Sequence, residues 1–172
     1  MEGTFRRDNL QLQPEKCVFA KDKVTYLGFE LSYRVIEALP DKLKAVKDFP
    51  TPRTVKNVRS FLGLASFYRR LVPYFADVAK ALAQLTKNDK IWDWNQECQE
   101  SFDKLKSKLS NTPVLAFPDF KVPVILRTDA PTIGLYAVLS QVQEGTERPS
   151  SFASRQLNPL TPNDHYSVVP HR

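Results

Sequence analysis

Apolar and polar positions along this chain alternate between the period of a strand and that of a helix, and each switch marks an element. Residues 3–11 carry a short helical pattern that Gln13-Pro14 closes off, because proline cannot continue a helix. Cys17-Val18-Phe19-Ala20 and Val24 to Leu31 then read as two strands joined by the polar turn Lys21-Asp22-Lys23. Gly28 interrupts the second strand, where a glycine marks a bulge or the close approach of another backbone. After Pro40 the period becomes helical. Asp41 is placed to cap a helix running to Asp48, with Leu43, Val46 and Lys47 at i, i+3 and i+4. Phe49-Pro50-Thr51-Pro52 is a rigid break. Thr54 caps what reads as the longest helix, striped by Val55, Val58, Leu62, Ala65 and Tyr68 or Arg69. Pro73 ends it, and a further helix is expected over about Phe75 to Leu85.

Beyond the polar link Lys87-Asn88-Asp89-Lys90, Asn95 is a good N-cap for another helix. Glu97 and Glu100 sit in its first turns and Lys104, Lys106 and Lys108 in its last, which suits the helix dipole at both ends. Asn111-Thr112-Pro113 stops it. Three strands follow, over about Val122 to Thr128, Leu135 to Gln141 and Ser150 to Arg155, with Glu144-Gly145 linking the last two. Asn163-Asp164 would cap one more short helix. The fold class expected is α+β: a strand hairpin, a helical segment, and three strands opening a new sheet. A boundary is expected near residues 86–95, so the divisions are 1–39, 40–90 and 91–172.

Composition narrows the class. An apolar share of 42% with Phe 11 and Trp 2 in 172 residues is enough to bury a real core. No apolar stretch is long enough to cross a bilayer, and Met1-Glu2-Gly3 is followed by charge rather than by a secretory signal. Cys17 and Cys98 lie far apart and near no histidine pair, so reduced, buried thiols and an intracellular location fit better than a disulfide or zinc site. Net charge is +6, and its distribution says more than its sum. Residues 40–90 hold eleven Lys and Arg against four Asp, so the positive surplus sits in the helical segment. Within it Lys56 and Arg59 are helical neighbours, and Arg70 returns to the same side three turns later if the helix continues. That would set a basic ridge, entered at Arg53, on which phosphates could bind. Phe67 and Tyr68, at helical spacing, are expected in the core rather than on a nucleotide.

Six motifs, in order, carry a resemblance. They are Pro14-Glu15-Lys16-Cys17; Val24-Thr25-Tyr26-Leu27-Gly28-Phe29; Phe49-Pro50-Thr51-Pro52; Arg59-Ser60-Phe61-Leu62-Gly63-Leu64 with Phe67-Tyr68-Arg69-Arg70; Pro113-Val114-Leu115 with Pro118-Asp119; and Thr128-Asp129-Ala130 with Gly134 and Ala137-Val138-Leu139-Ser140-Gln141. Together they resemble the Pol polyprotein of gypsy-class LTR retrotransposons. The resemblance covers nearly the whole chain. It implies the end of a reverse transcriptase palm with a primer-grip hairpin at 1–39, thumb and connection helices at 40–90, and the start of an RNase H-like domain at 91–172.

That family polymerises DNA and hydrolyses RNA with carboxylate-held divalent metal, usually magnesium. The resemblance implies that Asp129 matches the first RNase H metal carboxylate. The position matching the next one, a glutamate, is Arg172, and Pro170 would break the helix that should carry it. The family's serine after Thr-Asp-Ala is Pro131 here, and its second glycine is Tyr136. No Asp-Asp pair of the polymerase kind occurs in residues 1–172. The expectation is therefore a fragment that binds nucleic acid without catalysis, with Asp129 vestigial and no magnesium of its own. RNA–DNA hybrid or duplex would be its partner, with no membrane, alongside any remaining Pol segments. Tyr26, Leu27, Gly28, Lys56, Arg59, Arg69 and Arg70 are the residues expected to meet it. A domesticated protein-interaction module is the alternative.

Overall fold

A computed structural model describes residues 13–87, 90–111, 115–131 and 134–157. Two antiparallel sheets flank a set of helices. The first sheet holds β1 (Lys23–Tyr26), β2 (Phe29–Ser32), β3 (Val35–Ala38) and β4 (Leu115–Ala116), in that order. β1 and β2 meet across Leu27-Gly28, both at positive φ (45° and 79°), which gives the twist a two-residue hairpin needs. β4 arrives late in the chain and sets Ala116 opposite Val35 and Leu115 opposite Ile36.

The helices are α1 (Pro40–Lys47), α2 (Val55–Phe67), α3 (Phe75–Val78), α4 (Lys80–Leu85) and α5 (Gln96–Ser110). Thr54 starts α2 as expected. Its hydroxyl oxygen accepts from the Asn57 amide at 3.2 Å, satisfying one orphan donor of the first turn, while Asn57 Oδ1 takes the amide of Arg53, just before the cap, at 3.3 Å. Asn95 does the same for α5, accepting from the Cys98 amide at 3.0 Å. Phe61 of α2 meets Phe102 of α5 with ring centroids 4.6 Å apart, and Val46, Val58, Ala65, Leu82, Leu105 and Leu109 close around them. Helices from both sides of residue 90 thus share one core.

The second sheet holds β5 (Ile125–Asp129), β6 (Gly134–Gln143) and β7 (Thr146–Gln156). β6 and β7 join through Glu144-Gly145, again both at positive φ, with an irregularity between Leu139 and Ser140.

The α+β class and the three C-terminal strands stand as expected, and several local expectations do not. Residues 17–20 form no strand, and Pro14–Lys16 is a 3-10 turn. Gly28 turns the chain instead of bulging a strand, because Val24 to Leu31 is the two arms of a hairpin. Leu39, not Asp41, is the N-cap of α1, with Pro40 in the first helical position where its missing N–H is harmless. Phe75–Leu85 is broken at Ala79 into two short helices. The longest helix is α5, not α2, since α2 stops at Phe67. Cys98 is buried, whereas Cys17 is only half-buried. The helices expected at 3–11 and after Asn163 lie outside the described residues.

Candidate nucleic-acid interface and the Asp129 rung

α2 buries Val58, Phe61 and Ala65 against the core. At 100° per residue, Lys56, Arg59, Ser60, Gly63 and Phe67 must then lie together on the opposite side, and all five are exposed. They run about 16 Å along the helix at 1.5 Å per residue. A Cβ built on Gly63 meets nothing within 4 Å, so the middle of this face is bare backbone under open space. Cations stand at one end and an aromatic ring, 52% exposed, at the other.

The β1–β2 hairpin extends that face. A Cβ on Gly28 would sit 2.6 Å from the Phe67 ring, so the residue must be glycine both for its φ and for this contact. Tyr68, itself buried, donates its hydroxyl to Gly28 O at 3.0 Å, and Phe29 stacks on Phe67 with centroids 5.7 Å apart. Gly28 therefore makes its close approach to α2 within the molecule. The two residues before it, Tyr26 and Leu27, are left exposed beside Phe67.

The expected basic ridge is only partly assembled. Lys56 and Arg59 share the open face, and Arg59 also donates to Thr86 O at 2.9 Å at the end of α4. Arg70 does not join them. The helix ends three residues earlier and Arg69–Leu71 winds as a 3-10 turn, which carries Arg70 over the Phe29 ring at 5.9 Å. Arg69, still exposed, reaches toward the second sheet, donating to Ser154 O and lying 5.8 Å from the Phe75 ring centre. Ser60 and Gly63 were not singled out from the sequence. The available signal was a glycine, unfavourable in a helix interior, at i+7 from Lys56.

Asp129 closes β5 and is exposed. Register places Asp129 opposite Tyr136 and Tyr136 opposite Ser154, so one rung of the sheet carries all three side chains on one face. Tyr136 is buried and donates its hydroxyl to Asp77 of α3. Burial first, then the Asp77 bond and charge, push its phenol up to about 12. Ser154 Oγ accepts from the Ala76 amide at 3.0 Å. A cavity of about 230 Å³ opens between this rung and Pro73-Tyr74. RNase H-like domains use divalent metal, which one carboxylate cannot hold. Among the described residues no group of three or more acidic, histidine or cysteine side chains could hold an ion, so those residues alone do not fit a magnesium centre at Asp129.

Comparison with known proteins agrees with this arrangement. Residues 94–168 match the family model of the RNase H-like domain found in reverse transcriptase. Over 151 residues the chain is 41% identical to the retrovirus-related Pol polyprotein from transposon 297 of Drosophila melanogaster, covering 87% of this chain and 14% of that polyprotein. It is 38% identical over 172 residues to the Pol polyprotein from transposon gypsy of the same fly, covering 93% of this chain and 16% of the relative. The foamy viral protease-reverse transcriptase solved in complex with double-stranded DNA superposes with a TM-score of 0.69 at 25% identity, over 80% of this chain and 24% of that one. Hairpin, helices and second sheet thus share the fold of a reverse transcriptase segment that includes an RNase H-like domain. The chain belongs to the Pol polyproteins of gypsy-class LTR retrotransposons, and it spans 14% to 16% of the two relatives named.

Proposed function

We propose that this segment grips duplex nucleic acid, RNA–DNA hybrid or DNA, through the open face of α2, and that it performs no catalysis by itself. The observation that carries the reading is the stripe of Lys56, Arg59, Ser60, Gly63 and Phe67, bare at Gly63 with cations at one end and an aromatic ring at the other. A groove wall can approach backbone there, phosphates can meet Lys56 and Arg59, and Tyr26, Leu27 and Phe67 offer apolar surface for sugar edges. Such contacts read charge and shape, so sequence preference is small and binding falls steeply with salt. The foamy viral relative was solved with double-stranded DNA, which supports the same partner class for this chain. Polymerisation and RNA hydrolysis belong to the longer polyprotein, where further carboxylates can join Asp129 around magnesium.

Gly63→Ala tests the interface against a plain solvated helix. Alanine in a helix interior is more favourable than glycine by about 1 kcal/mol, so the variant should unfold at higher urea. Its anisotropy titration with labelled hybrid should nevertheless weaken, because the new methyl fills the bare strip. In parallel, Lys56→Ala/Arg59→Ala should flatten the salt slope by about one unit per charge removed. Gain of stability with unchanged affinity and an unchanged slope would reject this reading and turn attention to a protein partner.

A further inference from the structure

The rung Asp129–Tyr136–Ser154 touches the helical body at two of its three members, and the third is the exposed carboxylate. We infer that Tyr136, helped by Ser154, is a positioning residue that fixes where the Asp129 strand stands relative to the helices, through its bond to Asp77. Four features of the surroundings serve this role. The Tyr136 ring lies back over Gly134, where a Cβ would come within 2.7 Å of the phenol carbon Cζ, so only glycine lets the ring reach α3. Tyr74 packs edge-on against it with centroids 4.9 Å apart. Tyr74 itself holds a left-handed conformation, φ 57°, which a bulky residue adopts only when its surroundings enforce it. Ser154 is engaged twice, its side chain by the Ala76 amide and its carbonyl by Arg69.

Remaining polar links between the second sheet and the rest run through the 117–122 segment and through Arg34 with Glu144, on other parts of the sheet. Among the described residues only the Tyr136 rung makes polar side-chain bonds from the Asp129 end to α3, beside the apolar packing of Phe152 against the core. Loss of the phenol hydroxyl would therefore free that end to pivot while the strands stay paired. The inference rests on sheet packing alone and does not depend on duplex binding, so its test is made without nucleic acid.

Spin labels on Lys44→Cys of α1 and Leu126→Cys of β5, in a Cys17→Ser/Cys98→Ala background, report the distance between body and sheet. Both labelled positions are exposed. The parent should give one narrow distance distribution, and Tyr136→Phe, which keeps the ring, should broaden it about twofold by populating pivoted states. Should Tyr136→Phe not fold, Asp77→Ala carries the same measurement. A second readout is the ultraviolet titration of tyrosine. The groups facing the phenol are Asp77, Asp129 and Tyr74, and Asp77→Asn should bring its titration down from about 12. Parental width in every folded variant, or a titration unmoved by Asp77→Asn, overturns the assignment.

Discussion

In the helical body and the sheet beside it, the large side chains with no access to solvent are Phe, Leu and Val, together with Tyr68, whose hydroxyl is bonded. In the second sheet the buried side chains are instead those of Ser140, Gln141, Gln143, Ser150, Ser154 and Tyr136, while Leu126 is 63% exposed and Val142 49%. The body is held by non-directional burial of apolar surface, which tolerates small adjustments. The sheet is placed largely by directional bonds, with Phe152 of β7 adding apolar packing against the body's core. Gln141 alone donates to Asp119 O and Val122 O, each at 2.8 Å, and accepts from the Asp119 amide at 2.8 Å. One region thus supplies stability and the other is located by it. Leucines facing outward on the sheet are surface that the described residues do not cover.

That contrast can be broken first at its strongest point. Phe61→Ala removes a ring packed against Phe49 and Phe102 and should cost about 3–5 kcal/mol, read as a large drop in the urea midpoint. A loss below 1 kcal/mol would mean that the helical core is not the stabilising region. Gln141→Leu comes next. It strands the Asp119 amide and two carbonyls, an effect of about 1–3 kcal/mol, and should speed hydrogen exchange across 117–122 while α2 amides keep their protection. Equal loss of protection in α2 would show one cooperative unit where the contrast requires two. Leu126→Ser should do least, within about 0.5 kcal/mol of the parent, because nothing in the described residues packs over it. A clear destabilisation there would reveal a buried face.

How legible this was depended on the range of the interactions. Thr54 and Asn95 were readable because a capping residue acts within three positions of itself. β5, β6 and β7 were readable from alternation and the Glu144-Gly145 turn. Alternation alone reads β1–β2 as one strand because Leu27 is an unusual partner for Gly28 in a tight turn, and the packing of Phe67 beneath Gly28 explains it. β4 is two residues long and exists only through β3, which no local pattern can announce. For the site, Lys56 and Arg59 followed from helical spacing. The displacement of Arg70 required knowing where α2 stops, and the openness above Gly63 required knowing which face was covered. Tyr136 stood out as a departure from a familiar motif, but its partner Asp77 lies fifty-nine positions away.

The pairing of β3 with β4 also bears on how this chain reaches its structure. Val35 and Ala116 meet across a loop of about eighty residues, and closing so long a loop costs entropy that a two-residue strand pair can return only after the intervening helices are in place. Helices α1 to α5 and the three tight hairpins form from near neighbours, whereas this seam joins distant parts. In kinetic terms it is the natural last step, the point at which an assembled body is drawn shut. A substitution confined to the seam should hasten opening of the native state more than it slows folding.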